Sequence, residues 1–221
     1  MNCIYCGENE ANTRDHIIPK QLYSKPRPND LITVPACKEC NYSFRKDEEY
    51  FRVAIAGSLQ AVENSEQAEE IIKGPVSRAI ERRNSLINMI KKDLKYVPVS
   101  KDNNSFYFVP GYELDKNRVD TVLKKIVRGL FYFEEEKPLP YNFKVVTNVN
   151  TEKELIPENI MKHLSSKNIK EIGEGRDVFE YIKLDVEDRE FSSFWLLCFY
   201  KSIVMIAVTL SPDEYNLFVE N

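Results

Sequence analysis

The pattern of apolar and polar positions divides the chain into three stretches. In the first, apolar residues are scattered until Phe44, Phe51, Ala54 and Ile55 fall on one helical face, in a helix expected to start near Asn41, with Gly57 and Ser58 at its end. Residues 60–95 read as helical, broken near Gly74-Pro75. Ile80, Ile87, Ile90 and Leu94 line one side of the second piece. In the third stretch, Asp115 to Phe133 carries the strongest helical stripe: Val119, Val122, Leu123, Ile126, Val127, Leu130 and Phe131. Alternation at period two predicts strands over Ser105–Pro110, Asn142–Val149 and Val178–Val186, and a further helix is expected over Pro157–Ser166. Phe194–Tyr200 and Ile203–Leu210 read as two strands of a hairpin, because Lys201-Ser202 interrupts the run well before a span of about 18 apolar residues is reached. The expectation is an α+β protein: a first unit at residues 1–58, a helical connector at 59–95, and an α+β domain with a mainly antiparallel sheet at 96–221.

Composition adds little to this. The 221 residues are 43% hydrophobic and 30% charged, as in ordinary globular chains. The N-terminus has neither a basic start nor a leader-like apolar segment, so a cytoplasmic location is expected. The formal net charge of −4 argues against a protein that coats nucleic acid, but charge is unevenly placed. Residues 73–95 hold seven basic side chains, Arg82 and Arg83 among them, against two acidic ones. That basic face reads equally as a phosphate contact or as a solvated helix surface.

Cysteine usage says more. Of five cysteines, four form two C-x-x-C pairs, Cys3/Cys6 and Cys37/Cys40, with 30 residues between them. Without an export signal, two such pairs point to a structural zinc site rather than disulfides. A unit of about fifty residues also buries too little surface to fold well without a crosslink. Cys198, inside an apolar strand, reads as a small core residue.

Between the pairs lies Arg14-Asp15-His16-Ile17-Ile18-Pro19-Lys20, which holds one of only two histidines. On a strand, Asp15 and His16 would face opposite sides. Phosphodiester hydrolysis needs a divalent cation to neutralise developing charge and a base that titrates near neutrality; Asp15 suits the first need and His16 the second. His163, in a helix, reads as a partly exposed surface residue, and Gly173-Glu174-Gly175 lacks the ending of a phosphate loop.

Cys-Ile-Tyr-Cys-Gly, Asp-His-Ile-Ile-Pro-Lys, Asn29 and Val-Pro-Ala-Cys-Lys-Glu-Cys-Asn, in that order, resemble the HNH endonuclease family, a ββα-metal fold, over residues 1–55. The resemblance implies that His16 activates water, that Asp15 and Asn41 hold a catalytic Mg²⁺ or Mn²⁺, and that Asn29 supports the loop and the base. Cys3, Cys6, Cys37 and Cys40 would hold a separate structural Zn²⁺. Asn41 stands where the family name has His, and still offers a hard carbonyl oxygen. Phe44 stands where many members carry a Lys, with Arg45 and Lys46 following. Arg14, Lys20, Arg45, Lys46, Arg82 and Arg83 are the expected nucleic-acid contacts, with DNA the expected substrate. Restriction, phage defence or a mobile element would suit such an enzyme. The alternatives are a catalytically inactive zinc-stabilised nucleic-acid-binding module and a toxin-like nuclease controlled by a partner. Residues 96–221 would set the target, or engage a protein partner or a second copy.

Overall fold

The computed structural model describes residues 1–78, 94–102, 105–149, 169–173 and 177–220. The fold is α+β with antiparallel sheets. Strands β1 (Thr13–His16) and β2 (Thr33–Ala36) pair so that Asp15 lies opposite Val34 and His16 opposite Thr33. Helix α1 (Lys38–Ser43) follows, then α2 (Arg45–Ala56). The helix expected to start near Asn41 therefore starts earlier. Cys37 is extended and its sulfur accepts the N–H of Cys40 at 3.4 Å, so the second cysteine pair forms the first turn of α1.

Two short helices, α3 (Leu59–Asn64) and α4 (Glu66–Ile71), replace the first part of the expected connector helix. Ser58 and Ser65 cap them, accepting the N–H groups of Ala61 and Ala68. The break anticipated at Gly74-Pro75 is a wide helical turn over Ile72–Val76, as expected where proline lacks a donor. The basic face with Arg82 and Arg83 lies outside the described residues. From Leu94 the chain is extended rather than helical: β3 (Leu94–Asp102) pairs with β4 (Ser105–Tyr112), which reaches past the strand expected to end at Pro110.

Helix α5 (Lys116–Glu135), capped by Asp115, matches its stripe: Val119, Val122, Leu123, Ile126, Val127, Leu130 and Phe131 are buried. Strands β5 (Lys144–Thr147), β6 (Lys170–Glu171), β7 (Phe179–Asp185), β8 (Ser193–Phe199) and β9 (Ile203–Leu210) form one antiparallel sheet in the order β5-β9-β8-β7-β6. Helix α6 (Pro212–Glu220) closes the described chain; neither it nor β6 was expected from the pattern. The helix expected over Pro157–Ser166, with His163, lies outside the described residues. On β8, Trp195, Leu197 and Phe199 point into the core, while Cys198 is half-buried on the other face and so is not the core residue its sequence neighbours suggested.

Helix α5 packs between this sheet and the N-terminal unit, and a single hydrophobic core runs through all three. Phe51 of α2 meets Phe199 of β8 edge to face at 5.3 Å between ring centres. Tyr23 donates to Ile172 O at 2.6 Å, and Tyr200 to Leu22 O at 2.7 Å, both buried. Among the described residues no helix is long and apolar enough to cross a membrane.

Candidate metal centre and catalytic cleft

The four paired cysteines come together although 30 residues separate the pairs. Their sulfurs all lie within 4.8 Å of one another, and Cys3 and Cys37 are buried. Gly7 turns the first knuckle with φ of 72°, which only glycine adopts without cost; its N–H returns to Cys3 O at 2.9 Å. Tyr141 lies over that turn and donates to Cys3 O at 3.1 Å. Burial raises the Cys37 and Cys40 thiols, whereas the backbone of Asn9 holds Cys6 down at about 7. A sulfur cage of this kind can hold a metal ion such as zinc, with all four positions filled by protein. Among the described residues no other group of His, Cys, Asp and Glu has metal-ligand spacing.

A cleft of about 1100 Å³ opens beside this frame. β1 and the tight turn at Lys20–Leu22 form one wall, and α2, α4 and the wide turn after it form the other. It is lined by seven basic side chains against four acidic ones, a local excess opposite in sign to the net charge of the whole chain. Asp15, His16 and Asn41 all line it.

The alternation of β1 separates the first two. Asp15 faces inward, 7% exposed, while His16 is half-buried at the cleft surface. Burial, and then the charge of Lys20, lower the His16 pKa from its usual 6.5, so the imidazole is neutral at pH 7. Asn41 donates from Nδ2 to Thr13 Oγ1 at 3.1 Å and to Arg14 O at 3.2 Å. A backbone carbonyl only accepts, so the amide nitrogen must face Arg14, and Oδ1 is left as the amide's acceptor.

Asp15 is already engaged through one oxygen. Its Oδ2 accepts the Tyr5 hydroxyl at 2.9 Å and lies 3.0 Å from Lys125 Nζ. Lys125 comes from α5, is wholly buried, and also donates to Glu48 Oε1 and to His16 O, the latter at 2.8 Å. Burial first, then the Asp15 charge, push the Tyr5 phenol well above its usual 10, so it remains a donor.

Of the expected phosphate contacts, Arg14, Lys20 and Arg45 line the cleft. Arg14 is held by Thr33, through Nε to Oγ1 at 2.8 Å and Nη2 to the carbonyl at 2.6 Å; Arg45 stacks 4.5 Å over Tyr42. Lys46 is exposed but does not line the cleft, and Arg82 and Arg83 lie outside the described residues. Asn29 sits exposed in the proline-rich loop and does not line the cleft, although Lys25 and Arg27 of the same loop do. The motif does not contain Lys125, Glu48, Arg27, Arg52 or Arg78, and gives no role to Tyr5, yet the fold brings all of them to or beneath the cleft. Lys125 stands beside Lys124 at the edge of the apolar stripe of α5, where nothing in the sequence marks it out.

No family model matches the chain, and searches of curated proteins and of solved structures gave no match either.

Proposed function

We propose that the chain is a metal-dependent endonuclease of the HNH type that hydrolyses phosphodiester bonds of DNA. The observation that carries this reading is the convergence of Asp15, His16 and Asn41 on one basic cleft beside a four-cysteine cage. The donors fit a hard cation: one oxygen of Asp15 and Oδ1 of Asn41 are the ligand types of Mg²⁺ or Mn²⁺. Such an ion supplies charge neutralisation at the scissile phosphate and the leaving oxygen. His16, neutral and at the cleft surface, takes the proton from the attacking water. Arg14, Lys20 and Arg45 hold the flanking phosphates. The cysteines hold Zn²⁺ and keep β1, β2 and α1 in register, without taking part in chemistry.

A second reading is favoured by the pairing of Asp15 with Lys125, since a carboxylate already neutralised suits a zinc-stabilised module that binds nucleic acid without cutting it. Supercoiled plasmid and single-stranded RNA, incubated with the protein in Mg²⁺ or Mn²⁺ and in EDTA, separate the readings. Metal-dependent nicking of plasmid that EDTA abolishes is expected. Retarded migration without cleavage in either metal establishes the binding module, and cleavage of RNA alone replaces DNA as the substrate.

A further inference from the structure

Lys125 lies outside the motif and beneath the cleft, yet it contacts both Asp15 and His16 of the motif. An ammonium has three N–H donors. Lys125 donates to two acceptors of the N-terminal unit, His16 O at 2.8 Å and Glu48 Oε1, and forms an ion pair with a third group, Asp15 Oδ2, at 3.0 Å. Its side chain is fully buried, and the Phe44 ring covers it at 5.7 Å from the ring centre. Phe44 in turn packs edge to face on Tyr5 at 5.1 Å, and Tyr5 donates to the same Asp15 oxygen as Lys125. With the Tyr5 hydroxyl and the Lys125 ammonium both on Oδ2, Asp15 cannot rotate freely, and Oδ1 is left for a cation. The approach of α5 that allows this depends on Gly129, one turn beyond Lys125. A Cβ there would lie 3.1 Å from Ile17, the residue after His16.

We propose that Lys125 and Tyr5 are positioning residues that fix Asp15 as a single-oxygen metal ligand and pin the backbone of His16, so that helix α5 completes the site carried by the first fifty residues. This rests on the metal-dependent nuclease reading above. A group that orients a ligand typically alters metal affinity or activity by about 10–100-fold when removed. A buried cation that merely competes with the metal has the opposite sign: its removal tightens binding.

The test uses the full zinc-loaded chain as wild type, Lys125→Met and Tyr5→Phe. Mn²⁺ binding is followed by the electron paramagnetic resonance signal of the free ion, and plasmid nicking is measured alongside. Zinc content and cooperative unfolding report whether each variant is folded. The expected result is Mn²⁺ binding weakened about 10–100-fold in Lys125→Met and about tenfold in Tyr5→Phe. Turnover should fall in parallel while KM for plasmid stays within about threefold. Tyr5→Phe keeps the ring against Phe44 and decides the matter alone if Lys125→Met does not fold. Unchanged or tighter Mn²⁺ binding in the folded variants overturns the proposal, as does a raised KM with unchanged turnover. Wild type that binds Mn²⁺ but cuts nothing overturns the nuclease reading, while the affinities of the variants still decide the positioning role. Wild type that binds no Mn²⁺ overturns both.

Discussion

Lys125 Nζ lies 3.0 Å from Asp15 Oδ2 with both side chains nearly sealed from solvent, and this ion pair joins helix α5 to the strand that carries His16. Breaking a buried pair on one side leaves an uncompensated charge, here two carboxylates, Asp15 and Glu48. Lys125→Met is expected to lower unfolding free energy by about 3–5 kcal/mol in urea titrations at pH 7. A loss below about 1 kcal/mol, typical of exposed pairs, would mean that the cluster is hydrated.

The cysteine cage makes a separate prediction. Metal analysis of protein purified without chelator should find one zinc per chain, held by Cys3, Cys6, Cys37 and Cys40. Cys37→Ser should lose that zinc and lower the melting temperature, because the cage is packed beneath Tyr141 and its metal energy is folding energy. Metal-free protein that melts at the same temperature as the zinc-loaded form would remove the structural role.

The cleft cations should act as phosphate contacts. Arg45→Ala and Lys20→Ala are each expected to weaken duplex binding at all sequences alike and to reduce the slope of log Kd against log salt by about 1. Fluorescence anisotropy over a salt series measures this. Slopes equal to wild type would place the nucleic acid elsewhere on the surface.

Glu214 links α6 to the loop before β8. Burial alone would raise its pKa, but hydrogen bonds from Ser192 Oγ, Arg189 and the Ser211 N–H outweigh it and bring the carboxyl to about 2. A depressed carboxylate stabilises the fold above its unfolded value near 4.5, and that contribution is lost as pH falls from there toward 2. Glu214→Gln should therefore cost about 1–2 kcal/mol at pH 7 and progressively less as pH falls toward 2. A difference from wild type that does not change with pH would contradict this. Thermal unfolding at several pH values reads the trend.

Local rules made much of the fold legible. The stripe of α5, the alternation of β8 and the hairpin partner β9 follow directly from side-chain period. Helix starts were less legible. Asn41 looks like a cap by residue type, but the thiol of Cys37 takes that place because the metal-ligand spacing and the first helical turn coincide. The strand β3 was hidden because Leu94 and Lys95 continue a helical pattern, and only pairing with β4 makes them extended. At the site, Asp15, His16 and Asn41 sit close together in space, as a compact motif suggests. Lys125 could not be placed from sequence, since its partners are distant in the chain and its register depends on how closely Gly129 lets α5 approach Ile17. Asn29 shows the reverse: its place in the ordered motif does not bring its side chain to the cleft, even though Lys25 and Arg27 of the same loop line it.

In the proposed endonuclease, His16 serves as the base in metal-dependent strand cleavage. The most direct test of that role is single-turnover nicking of supercoiled plasmid at saturating Mg²⁺ by wild type and His16→Ala, both zinc-loaded and equally stable. Loss of a general base lowers the rate by about 10²–10⁴-fold, with plasmid affinity unchanged. Equal cleavage rates for the two proteins would remove His16 from the reaction.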